Sequence, residues 1–182
     1  MKPHYDTVFL DRDGTINPDP GYIGSLEQFE LYPFTFDALS LLAENGYRFC
    51  IITNQSGIGR GLIQQKKLDE IHTFIKREFE KKGLPLLGIY VCPDHPDHAS
   101  ERRKPDSGMF LEAAHEHDIN LENCLMIGDT PGDIFAGQQL DMDTMLVLTG
   151  KGVEAKELLK NNPPTFIVDT LLDGANQLVS MS

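Results

Sequence analysis

The feature that most constrains the fold is a repeated alternation of short apolar runs and longer segments with helical spacing. The apolar runs have the length and composition of buried strands. They predict six strands, at residues 7–10, 48–53, 88–92, 124–127, 144–148 and 166–168. The segments between and after them predict helices at residues 36–44, 64–82, 108–117, 133–140, 153–160 and 170–178.

The ends of these helices carry signals of their own. Gly46 and Gly83 follow the first two helices, where a glycine commonly ends a helix, and Ser107 and Asp169 are candidate N-caps of later ones. With right-handed crossovers, a β–α repeat assembles into a doubly wound, mainly parallel sheet with helices on both faces. We therefore expect one α/β domain over residues 1–182 that binds ligands beyond the carboxyl ends of its strands.

Composition restricts the function before any motif is considered. Sixteen Lys and Arg against 28 Asp and Glu give a net charge of −12, which disfavours nucleic acid and anionic membranes as partners. No apolar run reaches the roughly 20 residues of a membrane span, and the first residues lack the apolar core of a signal peptide. Cys50, Cys92 and Cys124 do not form a dense disulfide framework. We expect a soluble cytoplasmic protein, monomeric by default, that acts on a small molecule.

Two aspartates follow the first strand directly, in the string DRDGT. Side chains two residues apart in extended backbone project the same way, so Asp11 and Asp13 are expected to converge on one point. A divalent cation would relieve the repulsion between them, and oxygen ligands favour Mg²⁺ over zinc. The alternative is a polar turn with an aspartate cap, and DxDG alone does not decide between the two.

The string TNQSGIGRG follows the second strand. Its glycines, Gly57, Gly59 and Gly61, allow backbone N–H groups to turn inward as a nest for an anion. The Thr53 hydroxyl and the Asn54 amide add donors at the same rim. Phosphate is the expected ligand, and a flexible glycine turn is the alternative.

Two further loops carry charge. Residues 102–105 (RRKP) are the densest positive cluster of an acidic chain, and Lys104 is placed to reach an anionic substrate unless the run is simply solvated. The string GDTPGD puts Asp129 directly after the fourth strand, where its carboxylate can join the acidic cluster. Asp133 lies further along, and its alternative role is to cap the next helix.

These loops resemble, in the same order, the four motifs of the haloacid dehalogenase (HAD) superfamily. The superfamily has an aspartate pair after strand one, then a Ser or Thr, a lysine and a final acidic pair, which are matched here by DRDGT, Thr53, Lys104 and GDTPGD. The resemblance spans residues 11–133. The strings DRDGTIN, TNQSGIGRG, RKP and GD are similar to those of the D-glycero-D-manno-heptose 1,7-bisphosphate phosphatases and of the related histidinol phosphatases. TNQSGIGRG favours the heptose bisphosphate branch, because the histidinol branch departs after TNQ.

The resemblance implies a Mg²⁺-dependent phosphomonoester hydrolase with an aspartyl-phosphate intermediate. Asp11 would be the nucleophile and Asp13 the general acid and base. The Asp11 carboxylate, the Asp13 backbone carbonyl and the Asp129 carboxylate would hold Mg²⁺, and Asp133 would position Lys104. Three loops would bind phosphate and substrate through Asp19, Pro20, Gly21, Tyr22, Thr53, Asn54, Gln55, Ser56, Arg103 and Lys104.

The implied substrate is D-glycero-D-manno-heptose 1,7-bisphosphate, in ADP- or GDP-heptose biosynthesis, with histidinol phosphate of histidine biosynthesis as the alternative. A non-enzymatic receiver domain is disfavoured, because receivers usually carry adjacent acids after strand one and the phosphorylated Asp after strand three, where this chain has Cys92 and Pro93. Larger members of the superfamily carry a separate cap domain, but no insertion in this chain is long enough to form one. A sugar phosphomutase is disfavoured because, without a cap, the aspartyl phosphate is open to water.

One segment departs from the family pattern. Relatives usually bind a structural zinc through Cys-x-His and Cys-x-Cys near the RKP motif, but the segment here reads CPDHPDHASERRKP. Asp94 stands at the expected His position. Cys92, His95 and His98 remain as candidate ligands, with Asp94 or Asp97, which is a set that structural zinc sites rarely use. We therefore predict a shortened loop without zinc.

Overall fold

All six predicted strands form in the computed structural model, which describes residues 5–181. Their bounds are β1 Thr7–Leu10, β2 Arg48–Asn54, β3 Leu86–Cys92, β4 Cys124–Gly128, β5 Asp143–Val147 and β6 Phe166–Val168. Within the described residues they make one sheet in the order β3-β2-β1-β4-β5-β6, with every neighbouring pair parallel. The predicted doubly wound parallel sheet is confirmed.

Seven α-helices lie between and after these strands in the same part of the chain. Their bounds are α1 Thr35–Glu44, α2 Ser56–Gly59, α3 Gln65–Lys81, α4 Gly108–His117, α5 Pro131–Gln138, α6 Gly152–Leu158 and α7 Leu171–Met181. Six correspond to predicted helices, and α2 is an additional short turn inside the glycine loop. The start of α5 was predicted at Asp133, but the helix begins at Pro131 because Thr130 and Asp133 form a reciprocal capping box.

The predicted helix ends are confirmed in part. Gly46 and Gly83 follow α1 and α3 with positive φ angles of 88° and 65°, as a glycine stop requires. Ser107 occupies the predicted N-cap position of α4, but its side chain makes no capping hydrogen bond. The predicted cap at Asp169 is wrong: Thr170 caps α7, because its hydroxyl accepts a hydrogen bond from the N–H three residues later.

Alternation along the strands divides the core into two layers. Val8 and Leu10 of β1 pack with α1, α3 and α7 on one face of the sheet. Phe9 packs with α4 and α5 on the other face, and Ala155 of α6 joins α5 there against Leu146 of β5. Because helices cover both faces, the strands are apolar throughout instead of alternating with polar residues.

The position of β1 in the sheet decides where the motifs meet. β1 lies between β2 and β4, and the strand order reverses at this point. Loops that follow these three strands therefore converge at the carboxyl edge of the sheet. DRDGT, TNQSGIGRG and GDTPGD are these three loops. None of the helices in the described part of the chain has the length and apolarity to cross a bilayer.

Candidate active site

A cavity of about 500 Å³ opens at this edge of the sheet. The predicted site residues that line it are Asp11, Asp13, Asp19, Gly21, Tyr22, Asn54, Gln55, Ser56, Arg103, Lys104 and Asp133. Asp129 and Thr53 are buried and are not among the lining residues, and neither is Pro20. The cavity is also lined by Gly57 of the glycine loop and by three residues to which no binding role was assigned, namely Thr130, Gly132 and Lys151.

Lys104 joins the first and last acidic loops. Its Nζ donates to Asp11 Oδ1 at 2.7 Å, to Asp133 Oδ1 at 2.6 Å and to the carbonyl oxygen of Ile52 at 2.7 Å. The side chains of all three charged residues are nearly inaccessible to solvent. Asp133 is itself held by Thr130, whose N–H and hydroxyl donate to Oδ2. Asp133 therefore both caps α5, as N3 of the capping box, and positions Lys104.

Asn54 fixes the loop that carries Lys104. Its Nδ2 donates to the Lys104 carbonyl oxygen and its Oδ1 accepts from the Lys104 N–H, both at 3.1 Å. The two hydrogen bonds tie the end of β2 to the RKP segment, although the two are 50 residues apart in sequence. Asn54 was predicted as a substrate ligand, and the structure gives it this anchoring contact at the cavity wall.

Burial and mutual repulsion dominate the electrostatics of the acidic loops. Burial raises the pKa of Asp11 well above its usual range, the nearby Asp133 and Asp129 raise it further, and Lys104 opposes them. Burial and Asp133 likewise raise the pKa of Asp129 to about 7. Burial disfavours the charged form of Lys104, but Asp11 and Asp133 outweigh it and raise its pKa. Three acids around one lysine leave an excess of negative charge that a cation can neutralise.

Asp129 supplies an atom suited to bind such a cation. Carboxylate oxygens of Asp11, Asp129 and Asp133 lie within 4.8 Å of one another. Both Asp133 oxygens already accept hydrogen bonds, whereas Oδ1 of Asp129 is buried without a hydrogen-bond partner among residues 5–181. A buried carboxylate oxygen without a partner is costly, and hard oxygen donors of this kind fit Mg²⁺. Asp11 and Asp129 therefore fit the predicted metal ligands.

Backbone packs tightly around Asp129. Its Oδ2 accepts from the Lys151 N–H at 2.8 Å. Gly14 and Gly150 have positive φ angles of 88° and 54°, and a Cβ on either would lie within 2.2 Å of Asp129 Oδ2. Only glycine satisfies both the backbone conformation and the close approach at these two positions.

Asp13 faces different partners from Asp11. Nε and Nη2 of Arg12 donate to its carboxylate at 2.8 to 3.0 Å, and Asn17 and Gln55 each donate at 2.8 Å. The expectation that both DRDGT carboxylates converge on one cation is therefore wrong for the Asp13 side chain, because Arg12 neutralises it. The contribution of the Asp13 backbone carbonyl to a metal site stays a prediction.

The glycine loop folds as a helical turn, and its role as an anion nest stays a prediction. Gly57 and Gly59 lie in the helical turn α2, and of the three glycines only Gly61 has a positive φ. Close packing explains the first two, because a Cβ on Gly57 would lie 2.5 Å from Ile63 and one on Gly59 would lie 2.6 Å from the backbone of His95. A side chain at either position would collide with its neighbours, so close packing requires glycine at both.

Two side chains of this loop segment face inward. The Thr53 hydroxyl, predicted to bind phosphate, is buried and accepts a hydrogen bond from Gln55 Nε2 at 2.8 Å. The same Gln55 nitrogen reaches Asp13, so that Gln55 bridges the two. A direct contact of Thr53 with phosphate stays a prediction.

The two arginines of the RRKP segment point to different regions. Arg103 lines the cavity, with Nη1 3.5 Å from the carbonyl oxygen of Asp94. Arg102 pairs instead with Glu112 of α4 and donates to the Val91 carbonyl oxygen. The predicted choice of Arg103 as the substrate ligand therefore agrees with its position.

The rim of the cavity brings together residues from distant loops. Tyr22 lines it with half of its surface exposed, and Asp19 accepts a hydrogen bond from the Gly21 N–H. Lys151 forms an ion pair with Asp19, with its Nζ 3.4 Å from Asp19 Oδ2. Sequence reasoning did not assign Lys151 a role, but it lies in the loop after β5, another strand whose carboxyl end faces this edge.

The segment around Cys92 has internal partners. Asp94 accepts from the N–H and hydroxyl of Ser100, and Nδ1 of His95 accepts from the Asp97 N–H. Cys92 is buried. Within residues 5–181, the group of three or more ligand-type side chains close enough to share a metal is the aspartate cluster, not this segment. That the segment holds no zinc stays a prediction.

Comparison with known proteins shows which family this chain is similar to. A HAD-hydrolase-like family model matches residues 101–174. D-glycero-alpha-D-manno-heptose-1,7-bisphosphate 7-phosphatase of Burkholderia mallei is 37% identical over 148 residues, and the match covers 78% of each chain. D-glycero-beta-D-manno-heptose-1,7-bisphosphate 7-phosphatase of Photorhabdus laumondii is 36% identical over 174 residues, and the match covers 91% of each chain.

A solved structure agrees with these sequence relatives. The crystal structure of D,D-heptose 1,7-bisphosphate phosphatase from B. bronchiseptica, complexed with magnesium and phosphate, superposes with a TM-score of 0.90. It is 29% identical and the match covers 97% of this chain and 99% of that one. The resemblance drawn from the motifs is confirmed: the chain belongs to the heptose bisphosphate phosphatase family of the HAD superfamily and is a HAD-superfamily phosphatase.

Proposed function

We propose that this phosphatase removes the 7-phosphate of D-glycero-D-manno-heptose 1,7-bisphosphate, through an aspartyl phosphate on Asp11, in ADP- or GDP-heptose biosynthesis. The observation that carries the mechanism is that Asp11 pairs with Lys104 and that Asp13 lines the same cavity. The names of the relatives support the substrate.

The first step transfers the phosphoryl group to the protein. An Asp11 carboxylate oxygen attacks phosphorus, the O–P bond to the protein forms, and the bond from phosphorus to the sugar oxygen breaks. Asp13 donates a proton to the departing sugar oxygen, which would otherwise leave as a poor, high-energy alkoxide. The Lys104 ammonium, fixed by Asp133, offsets the negative charge brought by the phosphoryl oxygens.

The second step returns Asp11 to its starting state. Asp13, now ionised, takes a proton from a water molecule whose oxygen attacks phosphorus. The bond from phosphorus to Asp11 breaks, and inorganic phosphate leaves. Hydrogen bonds from Arg12, Asn17 and Gln55 hold the Asp13 carboxyl group in place for both proton transfers.

Asp11 and Asp129 are the residues that would hold Mg²⁺, with the Asp13 backbone carbonyl as the third protein ligand. When bound, the ion supplies positive charge that screens the nucleophile from the incoming phosphoryl oxygens. The buried Asp129 oxygen without a hydrogen-bond partner supports this assignment.

We expect Mg²⁺ to raise the midpoint of thermal unfolding, and to do so more at about pH 8 than at about pH 6. The pKa of Asp129 is about 7 in the folded chain, against roughly 3.9 when unfolded. The folded chain therefore binds more protons in that window, and its stability falls as the pH rises through it. Mg²⁺ binds the ionised carboxylate and offsets this loss.

Thermal unfolding with MgCl₂ or with EDTA, at both pH values, measures this effect. Asp129→Asn should lose the Mg²⁺-dependent shift, whereas Asp69→Asn, a matched change at an exposed position on α3, should keep it. A full Mg²⁺ response in Asp129→Asn would exclude Asp129 as a ligand.

The substrate is tested by phosphate release from the α and β anomers of D-glycero-D-manno-heptose 1,7-bisphosphate and from histidinol phosphate. We expect a clear preference for a bisphosphate and a product that retains the 1-phosphate. Since relatives of both anomeric specificities match, both anomers are needed. A preference for histidinol phosphate would leave the proposed chemistry in place and overturn the proposed substrate.

A further inference from the structure

Arg12 is a fully buried charged side chain to which no motif assigned a role. A buried guanidinium is tolerated only when its N–H groups find partners. Two of its nitrogens, Nε and Nη2, donate to Asp13, and the third, Nη1, lies 3.0 Å from Nε2 of His72. Its Cζ lies 5.7 Å from the ring centroid of Phe29.

His72 comes from a different part of the chain. It lies on α3, 60 residues beyond Arg12, and is almost fully buried. An arginine in a protein is always protonated, so Nη1 is the donor and His72 Nε2 must be the acceptor. His72 is therefore neutral, with its proton on Nδ1. Burial and the adjacent Arg12 charge lower the pKa of His72 to about 3, which agrees with this assignment.

This chain of contacts determines how Asp13 is oriented. A planar guanidinium with all three nitrogens bound has no freedom to rotate about its terminal bonds. Its fork then defines the plane and direction of the Asp13 carboxylate, which Asn17 and Gln55 complete from the other sides. His72 is not among the residues that line the cavity, so its effect on a reaction there passes through Arg12.

We propose that His72 is a positioning residue for phosphoryl transfer, which fixes the Arg12 fork so that Asp13 is aimed at the oxygen of the leaving group. The inference rests on the proposed role of Asp13 as general acid. Without the His72 acceptor, the buried Nη1 lacks a partner, the guanidinium turns toward another one, and the Asp13 carboxylate moves with it. A misplaced general acid slows only those reactions whose leaving group needs a proton.

The test compares two substrates in the first turnover, with enzyme in excess and Mg²⁺ present. The 7-phosphate of the heptose bisphosphate leaves a sugar alkoxide that needs protonation, whereas p-nitrophenyl phosphate leaves as a stable anion. His72→Leu should slow cleavage of the alkyl ester by about tenfold or more and leave release of nitrophenolate within about twofold. His72→Gln retains an acceptor at the right reach and should recover most of the alkyl rate.

The controls separate positioning from loss of folding. His115→Leu, at an exposed position on α4, should change neither rate. Arg12→Lys keeps the charge but removes the fork, so it should give the same selective loss even if His72→Leu does not fold. The proposal is overturned if His72→Leu slows both substrates equally or neither, or if His72→Gln is as slow as His72→Leu.

Asp13→Asn separates this inference from the proposed function. If it slows the alkyl ester but not the aryl ester, Asp13 is the general acid, and the His72 variants then decide the positioning role alone. If Asp13→Asn slows both esters equally, the assignment of Asp13 as general acid fails, and the proposed role of His72 fails with it.

Discussion

Asp11→Asn should abolish phosphate release from the heptose bisphosphate, with a fall of about 10⁴-fold or more. The amide has nearly the shape of the carboxylate but cannot attack phosphorus. Stability should not fall with it. Burial and the adjacent acids raise the pKa of Asp11, so its ionised form is held at a cost that the amide avoids, while Lys104 keeps its ion pair with Asp133. The unfolding midpoint should stay equal or rise.

Phosphate release and thermal unfolding on the same samples check both parts of this result. Asp69→Asn is the matched control, because it is the same chemical change at an exposed position of α3. Acid quench of the wild type during turnover should also trap protein-bound phosphate that hydroxylamine releases, and Asp11→Asn should trap none. Undiminished release in Asp11→Asn would mean that another group is the nucleophile.

Lys104→Met should destabilise the protein by about 3 kcal/mol, because it leaves Asp11 and Asp133 buried without their shared cation. For a chain of this length, that corresponds to roughly 10 °C in the unfolding midpoint. The deficit should be larger at about pH 8 than at about pH 5. Without the ammonium the pKa of Asp11 rises further, so the folded variant holds protons that the unfolded chain has lost, and stability falls as the pH increases.

Phosphate release should fall in Lys104→Met by about 100-fold or more, because the ammonium no longer offsets the phosphoryl charge. Lys67→Met is the matched control: Lys67 also pairs with a carboxylate, Glu70, at 3.0 Å, but on the surface of α3, and its loss should change little. If Lys104→Met unfolds like the wild type at both pH values, the buried triad does not contribute to stability as described.

The strands, the parallel sheet and the acidic loops could be predicted because each depends on local pattern. An apolar run bounded by turn residues defines a strand wherever it stands, and the residues after it lie at the carboxyl edge of the sheet. This pattern predicted that Asp11 and Asp129 lie near one another, whereas the place of Lys104 beside them followed from the family resemblance. The start of α5 was misplaced by two residues because a capping box sets it. The cap of α7 was misplaced by one residue because Thr170, not Asp169, accepts the capping hydrogen bond.

The partners of the charged side chains could not be predicted in the same way. Asp11 and Asp13 are two residues apart, yet one pairs with Lys104, 93 residues away, and the other with its neighbour Arg12. His72 of α3 contacts Arg12 although the two are 60 residues apart in sequence, and no periodicity indicates that contact. The sequence predicted that Gly57 and Gly59 form an anion nest, whereas the structure shows that close packing requires glycine at both positions.

The sequence by itself determined the order of strands and helices along the chain and the identity of the acidic and basic groups at the strand ends. Only the tertiary structure decided which carboxylate faces a lysine, which faces an arginine and which keeps an oxygen without a partner, as Asp129 does. The physical reason is the distance along the chain over which each interaction acts. Hydrophobic periodicity acts over a few neighbouring residues, whereas the pairing of a buried charge depends on what the whole fold packs against it.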